Sequence, residues 1–119
     1  MKLAVIGNKD FFGYKLFCKT ISRHQNITTI ISGGAPGTDA MAKRYAAENE
    51  IDFLEFPPQY DKFGPEAKHY RDRQIVDNCD MVLAFWDGNC EGTSYTIDYA
   101  RKIKKKVIIK KIICQDVHI

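Results

Sequence analysis

Short apolar runs alternate with segments of helical period along this sequence, and that alternation leaves the chain very few architectures. Leu3–Ile6, Ile27–Ile31, Ile51–Phe56, Met81–Trp86 and Val107–Ile109 have strand length and are rich in β-branched or aromatic residues. Between them, Tyr14, Phe17, Cys18 and Ile21 fall at i, i+3, i+4 and i+7, the stripe of a helix lying on a sheet. Met41, Ala42, Tyr45 and Ala46 mark a second helix from about Asp39 to Asn49, and Tyr70, Ile75, Val76 and Cys79 a third. Thr96, Tyr99, Ala100 and Ile103 mark a fourth. Strand alternating with helix implies an α/β fold: a doubly wound, mainly parallel sheet with right-handed crossovers and helices on both faces. The sheet has five strands, or six where Ile112–Ile113 forms its own. With no repeat, linker or low-complexity segment, residues 1–119 read as one domain.

In such sheets ligands lie at the carboxyl ends of the strands, where strand order reverses. The small polar residues and most glycines gather in turns at those ends: Gly7-Asn8-Lys9-Asp10, Ser32 to Asp39, and Asp87 to Ser94. The central turn, Ser32-Gly33-Gly34-Ala35-Pro36-Gly37-Thr38-Asp39, leads from a buried strand into a helix. Its glycines let a ligand approach bare backbone, Thr38 and Asp39 are N-cap residue types, and phosphate suits the start of the helix that follows. The same pattern also arises for tight packing alone. It is not a Walker loop, since no Lys-Ser or Lys-Thr follows the last glycine. Pro57 to Glu66 has no clear period and reads as a binding loop or a plain surface excursion.

Charge narrows the partners. Of the net +3, six lysines crowd the C-terminal stretch (Lys102, Lys104, Lys105, Lys106, Lys110 and Lys111), and without them the chain would be slightly acidic. Either they contact nucleic acid or an anionic ligand, or they are a solvated helix end complementing its dipole; no aromatics interleave with them, which favours the solvated reading. Cys18, Cys79, Cys90 and Cys114 lie far apart with no C-x-x-C pair, so reduced thiols are expected and not a zinc site. The apolar start, Met1 to Gly7, is too short for a signal peptide or a membrane span, so a cytoplasmic protein without membrane contact is expected.

Acid–base candidates are Asp39 and Asp87 at strand ends and Glu91 in the loop beyond, against the alternative that Asp39 caps a helix and Asp87 orders its own turn. Arg71 offers a fork for phosphate or is a surface helix residue; Trp86 stacks on a base or belongs to the core. His24, His69 and His118 are scattered and read as solvated. No metal site and no cofactor are expected, and no Ser-His-Asp or Cys-His arrangement is visible.

With both glycine turns in hand, the chain resembles the SLOG superfamily, the Rossmann-like group joining Smf/DprA proteins to the LONELY GUY phosphoribohydrolases, and within it the small stand-alone YspA-like branch. The resemblance rests on Gly7-Asn8-Lys9-Asp10-Phe11, Ser32 to Asp39, Ala84-Phe85-Trp86-Asp87-Gly88 and Gly92-Thr93-Ser94. That branch usually carries Arg where this chain has Lys9, and Arg-Asn where it has Arg71-Asp72. The resemblance implies a nucleotide or nucleotide-derived ligand held across the two turns. The implied ligand residues are Gly7, Asn8, Lys9, Ser32, Gly33, Gly34, Ala35, Gly37, Thr38, Asp39, Arg71, Trp86, Asp87, Gly88, Gly92, Thr93 and Ser94. The superfamily's hydrolases carry Pro-Gly-Gly-x-Gly-Thr-x-x-Glu. Aligning Gly92-Thr93 with that Gly-Thr puts Thr96 in place of the glutamate, and Asp98, two residues on, points about 200° away around the helix. Three readings stay open: a binder that senses or sequesters the ligand, an N-glycosidase-like enzyme that turns over monophosphates poorly, and a DprA-like nucleic-acid binder. The resemblance also implies a homodimer.

Overall fold

The computed structural model describes residues 1–114; His118 lies outside them. Five strands, β1 (Lys2–Gly7), β2 (Thr29–Ser32), β3 (Asp52–Glu55), β4 (Met81–Trp86) and β5 (Lys106–Lys111), form one sheet in the order β3-β2-β1-β4-β5. Every pairing is parallel. The helices are α1 (Tyr14–Ile21), α2 (Thr38–Glu48), α3 (Tyr60–Phe63), α4 (Ala67–Asp77) and α5 (Glu91–Lys102). The chain builds outward from β1 to β3, then crosses back to lay β4 beside β1, so strand order reverses between β1 and β4. This is a Rossmann-like arrangement.

The central strands are apolar throughout because both their faces are covered. Leu3 and Val5 of β1, Ile30 of β2, and Leu83 and Phe85 of β4 pack with Phe17 and Ile21 of α1 and Met41, Ala42 and Ala46 of α2. Ala4, Ile6, Ile31, Val82 and Ala84 point the other way, onto Ile75 and Val76 of α4 and Ile97 and Ala100 of α5. Tyr70, read as part of the α4 stripe, instead stacks on Phe63 at 4.0 Å, and Ile103 ends α5 partly exposed while Ile97 takes the core position.

Three expectations are corrected. Pro57–Glu66 is not without structure, since α3 and a 3₁₀ turn (Gly64–Glu66) occupy it. No sixth strand follows β5 within the described residues; Ile112 N–H donates to Trp86 O (3.1 Å) and Ile113 is exposed. Helix α5 starts at Glu91, so Gly92, Thr93 and Ser94 lie within its first turn and not in the loop before it. The reason is Asp87, whose Oδ1 accepts from Asn89 N (2.8 Å) and Cys90 N (3.2 Å) and closes the turn early.

Of the C-terminal lysines, Lys102 closes α5, Lys106, Lys110 and Lys111 stud the edge strand β5, and Lys105 Nζ donates to Cys79 O (2.6 Å). Lysines on an open edge discourage pairing with another sheet. All four cysteines are unpaired thiols. No helix among the described residues is long and apolar enough to cross a membrane.

Candidate functional site

A cleft of about 610 Å³ opens at the carboxyl ends of β1 and β2, beside the point of strand reversal. The β1 turn and the glycine turn form one wall; α4 and the first turns of α5 form the other.

Asn8 holds these parts in register. Its side chain is buried, and its backbone carbonyl accepts from Thr38 Oγ1 (2.9 Å) and Thr38 N (3.2 Å), which docks the start of α2 on the end of β1. Asn8 Oδ1 accepts from Asp87 N (3.2 Å), and Asn8 N donates to Phe85 O (3.1 Å), tying in the end of β4. Gly37, at φ 73°, begins α2 where any side chain would collide with the Lys9 carbonyl, so this position requires glycine. Thr38 and Asp39 are therefore inside the helix, and neither caps it.

Asp39 reaches back into the turn instead. Its Oδ2 accepts from Ala35 N (3.1 Å), so a carboxylate of the protein already holds one of the amides expected to face an anion. Thr38 N–H is engaged as well, by Asn8 O. Arg71 lies across the cleft wall, with Nη1 donating to Gly33 O (2.8 Å) and Nε to Asp72 Oδ1 (2.8 Å). A Cβ on Gly33 would overlap the Arg71 guanidinium and crowd Asp39 Oδ2, so this glycine makes room for an internal cation.

The cleft wall is thus two carboxylates around one guanidinium. Burial pushes the Asp39 carboxyl above its ordinary range, opposed by the Ser32 hydroxyl, the Ala35 N–H and Arg71, while Asp72 adds to the rise. Burial likewise raises Asp72, opposed first by Arg71 and then by the Thr96 hydroxyl. That hydroxyl donates to Gly92 O (3.0 Å) and lies against the Asp72 carboxylate. Asp87 differs: the N–H of Asn89 holds its carboxyl below the usual range.

Of the residues expected from sequence, Gly7, Lys9, Gly33, Gly34, Ala35, Asp39, Arg71, Gly92 and Thr93 line the cleft. Asn8, Ser32 and Thr38 are buried and act as supports, Ser32 Oγ donating to Val5 O (2.8 Å). Gly37, Trp86, Asp87, Gly88, Ser94 and Glu91 are not among its lining. Trp86 packs against the α4–α5 core and donates Nε1–H to Cys90 O (3.0 Å), so its ring does not face the cleft. Lys68, His69, Asp72, Cys90 and Thr96 line the cleft although they stood outside the ligand set read from sequence. The signal for Asp72 is the Arg71-Asp72 pair, which stands where the resembled branch usually carries Arg-Asn. His69, read as solvated, stacks on Tyr95 at 4.1 Å. Among the described residues no group of three or more His, Cys, Asp or Glu is gathered as for a metal ion.

The family model described as YspA, cpYpsA-related SLOG family (YAcAr) matches residues 1–63, more than half of the chain. The matched stretch carries the β1 turn and the glycine turn; Arg71, Asp72 and α5 lie beyond it. No curated protein and no solved structure matches the chain. The match points to a nucleotide-related role, in binding or in processing a ligand.

Proposed function

The chain belongs to the YspA, cpYpsA-related SLOG family, and on that premise we propose that it binds a nucleotide or nucleotide-derived ligand in the cleft beside β1 and β2, as a sensor or a sequestering protein. The observation that carries this is the cleft itself: it lies next to the strand reversal, and its volume of about 610 Å³ is that of a small-molecule site. The phosphate is drawn by Lys9 and Lys68 in the cleft lining and not by the turn's backbone, since Asp39 already holds the Ala35 N–H and the Glu55 carboxylate packs against Gly34. Arg71 is not its main partner, because Asp72 and Gly33 already engage the guanidinium.

Nucleoside mono- and diphosphates, ADP-ribose and cyclic dinucleotides form the test panel. At least one should raise the melting temperature, by an amount that grows with the logarithm of ligand concentration, and Lys9→Ala with Lys68→Ala should shrink the shift. Unmoved melting with the whole panel at millimolar concentration would sink the binding reading.

One observation favours a second reading, hydrolysis of an N-glycosidic bond. Thr96 carries no charge, yet the Asp72 carboxylate stands against it. Base release from nucleoside monophosphates, compared between the native protein and Asp72→Asn, tests it. Nucleic-acid binding draws no support from the cleft, since β5 and its lysines do not line it.

We also propose a cytoplasmic homodimer. Beside the cleft, α3 and α4 carry Tyr60 and Tyr70 partly exposed, a surface suited to a second copy. Light scattering should give about twice the 13.6 kDa of one chain; a monomer at micromolar concentration would exclude this assembly.

A further inference from the structure

A nucleobase gains most from a flat partner, because every base has a π face. Among the described residues the cleft lining holds a single aromatic side chain, His69. Trp86, the stacking candidate in the sequence, is turned away from the cleft, its Nε1–H donating to Cys90 O (3.0 Å). We propose that the nucleobase of the ligand stacks on the His69 imidazole, with Tyr95 as the second layer of the platform. This rests on the reading of the cleft as a nucleotide site and names the side chain that meets the base.

The platform is built across two helices. His69 of α4 stacks on Tyr95 of α5, with ring centroids 4.1 Å apart and planes 19° from parallel. Tyr95 covers one face of the imidazole, yet the His69 side chain keeps 44% of its exposure. What stays accessible is the other face and the ring edge, on a residue that lines the cleft. Tyr95 is itself held: Arg73 Nε donates to its hydroxyl (2.8 Å). The Arg73 guanidinium lies 5.0 Å from the Tyr70 ring, and Tyr70 stacks on Phe63 at 4.0 Å. Glu66 Oε1 stands 3.6 Å from His69 Nδ1, too far for a hydrogen bond, so the stack orients the ring.

The other groups of the lining are poorer partners for a base. Arg71 has a flat guanidinium, but its side chain is only 12% exposed and its N–H groups are engaged by Gly33 O and Asp72. Pro36, Pro58 and Ile75 supply apolar wall without a π face. Lys68 neighbours His69 on α4 and Lys9 lies on the facing wall, so a ligand with its base on His69 has cations for its phosphate in the same cleft. Stacking a base on an aromatic side chain raises affinity about fivefold to a hundredfold, and the small imidazole belongs at the low end of that range.

Isothermal titration at pH 7.5 with AMP and ribose 5-phosphate, which share a sugar and a phosphate, tests this. AMP should bind about fivefold more tightly or better. His69→Ala should bring that ratio below about twofold, while His69→Phe, which keeps a ring and drops the nitrogens, should preserve it. Proton NMR of the native chain gives a readout that needs no variant to fold. The Hδ2 and Hε1 resonances of His69 should move upfield under the ring current of a stacked adenine when AMP is added, and should not do so with ribose 5-phosphate. A ratio near one, a ratio that survives His69→Ala, or a loss as complete in His69→Phe as in His69→Ala overturns the inference. So does an unmoved His69 signal in protein saturated with AMP. The nucleotide reading stands through all of these as long as a nucleotide raises the melting temperature. If none does, that reading fails and takes the inference with it.

Discussion

Phe85→Ala is expected to lower the unfolding free energy by about 4 kcal/mol, a large part of what holds a domain of this size together. Phe85 is fully buried on β4, its ring 4.9 Å from that of Phe17 and 5.6 Å from that of Phe11. These three rings join the central strand to α1 and to the segment leading out of the β1 turn. Cutting Phe85 back to a methyl group opens a cavity that the sheet on both sides keeps from closing: Phe85 pairs with Gly7 of β1 and with Lys110 of β5, and its carbonyl accepts from Asn8 N. Phe85→Leu keeps most of the volume and should cost less than half as much. Equilibrium urea unfolding checks both, with an unchanged slope showing that the native fold persists. A loss under about 1 kcal/mol for the alanine variant would mean that the three-ring cluster is not what secures this face.

Arg71→Met should bring the second large loss, about 3 kcal/mol at pH 7. The estimate sits at the low end for a broken buried pair because Arg71 and Asp72 keep 12% and 15% of their side-chain exposure. Methionine fills much of the same space but leaves Gly33 O without its donor and two desolvated carboxylates without their cation. The pH dependence gives the deficit a signature. Both carboxyls titrate above their ordinary range in the folded protein, so the folded state holds its protons more tightly than the unfolded chain. Their favourable contribution is complete below about pH 4 and is lost as pH rises through the raised values. Removing Arg71 raises them further, so the deficit should be largest at neutral pH and shrink on acidification. Asp72→Asn by itself should then stabilise the protein at pH 7 and make little difference below pH 4. Added to Arg71→Met, it should recover part of the loss. Thermal melts of the four proteins between pH 4 and pH 8 form a complete double-mutant cycle. A deficit for Arg71→Met that does not vary with pH would show that the guanidinium serves packing only. A destabilising Asp72→Asn at pH 7 would show that the ion pair outweighs the cost of burying the carboxylate.

The two variants also separate stability from function. Asp72 lines the cleft although burial disfavours its charged form, and a charge kept at a cost to stability is a mark of functional sites.

The amino-acid sequence by itself determined the sheet and put the glycine turns at its carboxyl edge. A strand buried on both faces must be apolar at every position, and a helix lying on a sheet must repeat every three to four residues; both signals are local, and Met81–Trp86 or Tyr14–Ile21 carry them unaided. Strand alternating with helix then leaves the parallel sheet as the arrangement, and the glycine turn at the end of β2 follows from residues adjacent in the chain. The internal chemistry of the cleft was decided only by tertiary structure. Arg71 meets Gly33 across 38 positions, Asp87 meets Asn8 across 79, and Asp72 comes against Thr96 because the return crossover sets α4 beside α5. Periodicity states which face of an element is covered but not which side chain of another element arrives there. So Asp39 read as a cap, a catalyst or a ligand residue, although its carboxylate folds back onto Ala35; Arg71 read as a phosphate fork or a surface helix residue, although Gly33 and Asp72 hold it; and Asp72 entered only as the second half of a matched Arg71-Asp72 pair. The desolvation that gives these charged groups their character exists only once the elements have packed.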